Sequence, residues 1–476
     1  MDRQLSSTRA AALLGDYDTS PAYRGLAEAF RRLIADGRIP VGTRLPSERD
    51  LATVLRVSRT TVTRAYALLV EHSYATARQG SGTVAALPAA RGHRGDHLLA
   101  PVDGLTDAID LTCAAPVAPT GVQEAYETAV AELPSYLPGT GYYPTGLPAL
   151  REAIAARFEA RGLPTSPDQV LVTSGALAAV AVAARAVVST GDRVLVESPT
   201  YPNAIATLQR AGARLAGVDL DPRGSDLESM TAAIKQVGPR ATYLIPDFHN
   251  PTGNLLSADD RETVAAALRT GRVTAIVDES LVDLALDDVE LPAPFASFAP
   301  DTITVGSASK GFWGGLRVGW VRVPEPRQAA VIASRLSLDL GAPVLEQLAL
   351  LQLLGRADAV LTERRDGLRL SRNALADALV RELPEWRFEM PAGGLCLWVE
   401  LPEAASSTLT AVAERHDVLL ASGPSFAPEG GLERYLRLPY TLPVDVLLPA
   451  VPRLRAAWDE TLSSSARRSP ARTLIA

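Results

Sequence analysis

From Gln169 to Val323, short apolar runs alternate with amphipathic helical stretches, and this rhythm constrains the chain more than any other feature. QVLVTS, RVLVES, RLAGVDL, RATYLIP, RVTAIVDES, TITVGSAS and RVGWVRV read as strands. GALAAVAVAARAVV, YPNAIATLQRAG and SADDRETVAAALRTG read as the intervening helices. Apolar strands joined through helices predict a large, mostly parallel sheet covered on both faces. A smaller α+β portion is expected from about residue 355, with FEMPAGGLCLWVEL and RYLRLPYT as strands and a terminal helix near LPVDVLLPAVPRLRAAW. With 476 residues and 47% hydrophobic content, the chain exceeds one ordinary core and should divide into two or three domains.

The front of the chain reads differently. PAYRGLAEAFRRLIAD places Leu26, Phe30, Leu33 and Ile34 on one helical stripe. Ser47 precedes ERDLATVL with Asp50 three residues on, close to a capping box. After a tight turn, Ser58 is a candidate N-cap for RTTVTRAYALLVEH, whose Val62, Ala65 and Leu69 fall on the buried side. YATARQGSGTVA then alternates and turns at Gly80-Ser81-Gly82, as a two-stranded wing would. This is the pattern of a winged helix-turn-helix, whose recognition helix meets base edges through its first turns. Those residues here are Ser58, Arg59, Thr60, Thr61 and Arg64. Arginine can read guanine bidentately, and hydroxyl side chains can bind bases or phosphates. Arg44, Ser47, Arg49, Gln79 and Ser81 are candidate backbone or wing contacts.

Charge supports that division. The whole chain carries −7, yet residues 21–83 hold ten arginines against five acids, a net of +5 that leaves −12 elsewhere. Attraction to phosphates is local, so a basic module on an acidic body still suits double-stranded DNA. Residues 87–109 mix Pro, Gly, His and charge without periodicity and read as a linker. His93 and His97 fall there at helical spacing, but no third ligand accompanies them, so no metal site is expected. Two cysteines, Cys113 and Cys396, cannot build a disulfide framework. With no apolar leader at the N-terminus and no long uncharged apolar stretch, the expected setting is the cytoplasm, with no membrane partner.

Lysine usage points to the chemistry. Of 47 basic residues only two are lysines, Lys235 and Lys310. Arginine replaces lysine as a surface cation, but its guanidinium stays protonated and cannot act as an amine nucleophile. Lys235 lies in LESMTAAIKQVG, an amphipathic helix, and reads as a solvated charge. Lys310 lies in SASKGFWGG, between a strand and a glycine-rich turn. In a sheet of this kind ligands gather beyond the carboxyl ends of the strands. Ser174-Gly175-Ala176, at a strand-to-helix turn, offers backbone N–H groups to a phosphate. Tyr201 after ESPT, Asn250 in HNPTG, Asp278 ending TAIVD and Lys310 after TITVGSAS bring an aromatic face, an amide, a carboxylate and an amine to strand ends. That set suits pyridoxal phosphate, where lysine forms a Schiff base and a carboxylate supports the protonated pyridine nitrogen.

LPSERDLA followed by SRTTV and GSGTVAAL, over residues 20–86, resembles GntR-type winged-helix regulators, which implies a dimer on an inverted or repeated operator. The ordered set SGA, PTYP, HNPTG, VDES, SASKG and LRVGW, over about residues 110–460, resembles fold-type I aminotransferases. By that resemblance Lys310 is the Schiff-base lysine, Asp278 the pyridine partner, Asn250 the phenolic-oxygen partner and Tyr201 the stacking ring. Ser174, Gly175, Ala176, Ser307 and Arg317 would hold the phosphate, and Arg437 in RLPYT would receive an effector or substrate carboxylate. One departure stands out: where these enzymes have a tyrosine shortly after the aspartate, this chain has Ser280-Leu281, which puts transamination in question.

The two resemblances together match the MocR subfamily of regulators. They imply a winged helix-turn-helix over 1–86, a linker over 87–109 and an aminotransferase-like domain over 110–476. They also imply a homodimer that senses pyridoxal phosphate or a small amino compound. Two alternatives remain open: an active aminotransferase with an accessory N-terminal module, and a DNA-binding protein with a cofactor-free sensor.

Overall fold

The computed structural model describes residues 5–15, 17–35, 39, 43–71, 74–78, 82–85, 108–219 and 227–468. The chain divides into two compact units, Met1–His97 and Leu98–Ala476. Gln79, Ser81, His93, His97 and most of the expected linker lie outside the described residues.

In the first unit the helices run α1 (Ser7–Leu14), α2 (Ala22–Ala35), α3 (Glu48–Leu55) and α4 (Arg59–Glu71), followed by β1 (Ala75–Arg78) and β2 (Gly82–Ala85). The stripe expected on α2 is buried, with Leu26, Phe30, Leu33 and Ile34 packing against Val62, Ala65 and Leu69 of α4. Burying each large side chain stabilises the unit by about 1.5–3 kcal/mol. Phe30 meets Tyr66 edge to face at 5.8 Å, and the Tyr66 hydroxyl donates to the Pro46 carbonyl at 3.0 Å, tying α4 to the turn before α3. Both expected caps form: Ser47 Oγ accepts from Asp50 N at 3.2 Å and Ser58 Oγ from Thr61 N at 3.0 Å. The wing strands pair antiparallel, Ala75 opposite Ala85 and Arg78 opposite Gly82. Helix α1 has no counterpart in the sequence reading. It adds Ala10 and Leu14 to the core and is capped by Ser6.

The second unit opens with β3 (Ile109–Asp110), α5 (Val122–Glu132), α6 (Pro148–Ala160), β4 (Val170–Thr173), α7 (Ala176–Val187), β5 (Arg193–Ser198), α8 (Pro202–Arg210), β6 (Arg214–Asp219), α9 (Leu227–Val237) and β7 (Ala241–Leu244). It continues through α10 (Ala258–Gly271), β8 (Thr274–Asp278), β9 (Ile303–Ser307), α11 (Ala308–Gly311), β10 (Gly319–Arg322), α12 (Gln328–Leu336), α13 (Val344–Leu354) and α14 (Ala357–Glu382). The remaining elements are β11 (Arg387–Phe388), β12 (Cys396–Glu400), α15 (Ser406–Ala413), β13 (Val418–Leu419), β14 (Ala421–Ser422), β15 (Tyr435–Pro439), α16 (Val444–Leu447) and α17 (Ala450–Arg468).

The main sheet has seven strands in the order β4-β10-β9-β8-β7-β5-β6, and only β10 runs against its neighbours. Its inner strands β7, β8, β9 and β10 are buried on both faces, as the near-continuous apolar runs require. A four-stranded antiparallel sheet, β11-β12-β15-β14, forms the core of the C-terminal portion. β3 pairs in parallel with β13, so Ile109 and Leu111 join the C-terminal hydrophobic core although they lie far away in sequence. No helix among the described residues is long and apolar enough to cross a membrane.

Candidate functional site

β5, β7, β8 and β9 are adjacent parallel strands, so the residues following their carboxyl ends converge. Tyr201 sits at the head of α8 after β5, Asn250 follows β7, Asp278 is the last residue of β8, and Lys310 lies in α11 directly after β9. β4 ends beside them and β10 begins there: Gly319 stands opposite both Thr173 and Ser307. These ends close around a cavity of about 240 Å³ lined by Ala176, Tyr201, Asn250, Asp278, Ser307, Lys310, Arg317 and Arg437. Ser174 and Gly175 are not among the lining residues, but the Ser174 carbonyl accepts from the lining Arg317 Nη2 at 3.3 Å. The chain's other lysine, Lys235, is exposed on α9, as a solvated charge should be.

Lys310 is half-buried, and its Nζ donates to the Ala114 carbonyl at 2.8 Å. Burial lowers its pKa, because removing water penalises the ammonium form, so the neutral nucleophilic amine is more accessible than at a surface lysine. Asp278 is held from two sides: Ser280 N donates to Oδ1 at 2.9 Å and the Tyr243 hydroxyl to Oδ2 at 2.9 Å. Burial raises the Asp278 pKa, while those donors and the Lys310 charge favour the anion. Beyond it, Glu279 faces away, accepting from Arg161 at 2.6 Å and Phe295 N at 3.0 Å, which pins the backbone on which Asp278 sits.

Tyr201 forms one wall, its hydroxyl accepting from Asn203 Nδ2 at 3.0 Å. Arg437 is buried on β15, bonded to the Thr112 carbonyl and, at 3.5 Å, to Asn250 Oδ1, with its guanidinium 4.9 Å from the Phe426 ring centre. Its Nε has no partner, and burial lowers its pKa. A buried guanidinium with spare N–H capacity is suited to an anion.

The donor set fits pyridoxal phosphate. At Gly175 a Cβ would stand 2.7 Å from Arg317 Nη2, so the missing side chain leaves room for the guanidinium beside the first N–H groups of α7. Cation and helix N-terminus together favour a phosphate. The Asp278 carboxylate meets the needs of a protonated ring nitrogen, and Lys310 those of an aldehyde. Ser280 and Leu281, which stand in place of the tyrosine that the resemblance to fold-type I aminotransferases would imply, both line the cavity. Among the described residues no cluster of His, Cys, Asp and Glu could hold a metal ion.

Sequence reading missed Tyr243, the Thr112–Ala114 segment and Phe426. Tyr243 was visible only as an apolar strand residue in RATYLIP. The 112–114 carbonyls carry no side-chain signal at all.

In the first unit Arg44, Ser47, Arg49, Ser58, Arg59, Thr60 and Arg64 are exposed and Thr61 is half-buried. Ser58 caps α4 by accepting from Thr61 N, and the two hydroxyls lie 2.8 Å apart, while Arg59 Nε lies 3.4 Å from Glu48 and Arg64 lies 4.8 Å over the Tyr23 ring. Arg44 runs alongside the wing, paired with Val84 and packed over Gly82.

Sheet order and the lysine and aspartate at neighbouring strand ends define a fold-type I domain of the pyridoxal-phosphate aminotransferase class, joined to a winged helix-turn-helix. Residues 136–452 match the aminotransferase class I and II family, and residues 22–84 match the gntR family of bacterial regulatory proteins. The chain belongs to the aminotransferase class I and II family, carries a gntR-type N-terminal domain, and is an HTH-type transcriptional regulator of MocR-like organisation.

It is 30% identical to the HTH-type transcriptional regulator TauR of Rhodobacter capsulatus over 441 residues, 86% of this chain and 90% of that protein. It is 33% identical to the 2-aminoadipate transaminase of Thermus thermophilus over 332 residues, 68% of this chain and 81% of that one. Among solved structures, the α-aminoadipate aminotransferase LysN of Thermus thermophilus, complexed with N-(5'-phosphopyridoxyl)-L-leucine, superposes with a TM-score of 0.69 at 28% identity. That match covers 76% of this chain and 94% of LysN.

Proposed function

We propose that this regulator senses pyridoxal phosphate, or a small amino compound that reacts with it, through Lys310, and that the sensing changes its affinity for an operator. The observation that supports this reading is the placement of a single half-buried amine, of lowered pKa, in a cavity it shares with Asp278.

The chain's residues have distinct tasks in it. Lys310 offers its neutral amine, and Asp278 holds negative charge at the end of β8. Ala176 N–H and Arg317 retain a phosphate, supported by Ser174, Gly175 and Ser307. Tyr201 packs a ring face, Asn250 offers an amide, and Arg437 receives the effector's carboxylate. When bound, pyridoxal phosphate supplies an aldehyde for condensation with amines and an electron-withdrawing ring.

A homodimer built on the aminotransferase-like domain would set the distance between two reading heads, with residues 87–109 connecting each head to its sensor. Arg59 and Arg64 would contact bases, and Ser58, Thr60, Thr61, Arg44, Ser47, Arg49, Gln79 and Ser81 would contact bases or backbone. A ligand shifts DNA affinity only by the difference in its affinity for the two states.

The test is a visible absorption spectrum of purified protein with and without pyridoxal phosphate, followed by borohydride reduction and peptide mapping, with operator affinity measured in parallel. A reduced adduct on Lys310 and a cofactor- or amine-dependent change in operator affinity are expected. No adduct at Lys310, or an operator affinity indifferent to every ligand, overturns the reading. The 33% identity to a transaminase favours a second reading, an active enzyme with an accessory module. Steady turnover of an amino donor and a keto acid without operator binding would establish that alternative.

A further inference from the structure

We propose that the Tyr243 hydroxyl is a positioning group for the cofactor ring: it fixes the orientation and charge of Asp278 and, through Asp278, the protonation of the pyridine nitrogen. This rests on the cofactor reading above.

The register places the two residues together. β7 pairs with β8 so that Tyr243 stands opposite Ile276, and Asp278, two residues further on, projects from the same face. A diagonal neighbour on a sheet lies within reach of a long aromatic side chain. The tyrosine hydroxyl spans that diagonal to Asp278 Oδ2 at 2.9 Å. Tyr243 is fully buried, and phenylalanine would fill the same ring volume, so packing does not account for the oxygen. A buried phenol needs a partner, and Asp278 is that partner.

The consequence for Asp278 is geometric first. Ser280 N holds Oδ1 at 2.9 Å, so each oxygen is fixed by one donor and the carboxylate cannot rotate freely. Each oxygen keeps acceptor capacity for a further N–H from the cavity. The second consequence concerns charge. Burial favours the neutral acid, and the Tyr243 and Ser280 donors oppose it. Tyr243 remains protonated, because burial and the neighbouring carboxylate push its own pKa well up. The ionisable groups that act most strongly on the pair from nearby are Lys310, Tyr201 and Glu197. Without the hydroxyl, Asp278 is more readily neutralised, and a neutral acid does not support a pyridinium.

The test uses the full-length chain loaded with pyridoxal phosphate, comparing wild type with Tyr243→Phe across the pH range in which both stay folded. Loss of the ring proton makes the lysine-linked nitrogen more basic. The midpoint of the visible chromophore should therefore rise by about one pH unit, and cofactor affinity should fall roughly tenfold, as expected for one lost hydrogen bond to a charge. Borohydride should still trap cofactor on Lys310. Should Tyr243→Phe fail to fold, 3-fluorotyrosine at position 243, a stronger donor of the same shape, should move the midpoint the other way.

A melting temperature that falls while midpoint and affinity stay at wild-type values overturns the inference, as does an unmoved midpoint with fluorotyrosine. A wild-type chain giving no Lys310 adduct defeats the cofactor reading and this inference together. A wild-type adduct beside an unshifted Tyr243→Phe midpoint defeats this inference alone.

Discussion

The Arg317 guanidinium lies against Gly175, where an added Cβ would stand 2.7 Å from Nη2. Gly175 has φ +93°, a backbone that L side chains rarely adopt. Gly175→Ala therefore combines backbone strain with displacement of the cation. We expect a loss of about 1–2 kcal/mol in stability and a roughly tenfold weaker hold on pyridoxal phosphate. Thermal melts and cofactor titration measure the two, and unchanged cofactor affinity would remove Gly175 and Arg317 from the phosphate site.

Arg437 reaches the cavity from β15 with one N–H group unpartnered. Arg437→Ala should leave the Lys310 chromophore in place but weaken the spectral response to amines bearing a carboxylate by about 10–100-fold, the worth of a charge-assisted hydrogen bond. The matching amine without a carboxylate is the control. Equal losses for both amines would mean that Arg437 shapes the cavity rather than reading an anion.

On the DNA side, Arg59 heads α4 with most of its side chain exposed. Arg59→Ala should cost about 1–3 kcal/mol in operator affinity if it reads a base. Arg44→Ala, beside the wing, should instead weaken all sequences alike and reduce the slope of log affinity against log salt by about one. Binding assays at several salt concentrations separate the two, and identical profiles would refute the division of roles.

Lys310 also predicts a pH dependence. Its pKa in the folded apo-protein lies below the usual 10.5, so between that lowered value and 10.5 the unfolded chain binds more protons. Stability then rises with pH through that window. Lys310→Met lacks the ionisation, so wild-type stability minus Lys310→Met stability should grow as pH rises across it. A difference independent of pH would mean that the amine titrates as it does in water.

Local chemistry made much of this protein legible in advance. The α2 stripe, the Ser47 and Ser58 caps and the strand-end placement of Tyr201, Asn250, Asp278 and Lys310 are written in periodicity and residue type. Each depends on contacts within one element or at its end. Helix α1 escaped notice because its stability comes from burying Ala10 and Leu14 against the rest of its unit.

The scarcity of lysine singled out Lys310 before any fold was known, because no arginine can perform an amine's chemistry. Sequence alone also separated the basic N-terminal module from the acidic body. What it could not decide was which groups from distant segments would meet. Ala114 lies 196 residues from Lys310, Thr112 lies 325 from Arg437, and Tyr243 lies 35 from Asp278. Backbone carbonyls look alike in every sequence, and a buried hydroxyl acquires its role only from the group that strand register sets beside it. Those partnerships, and the protonation states they impose, were decided by tertiary packing.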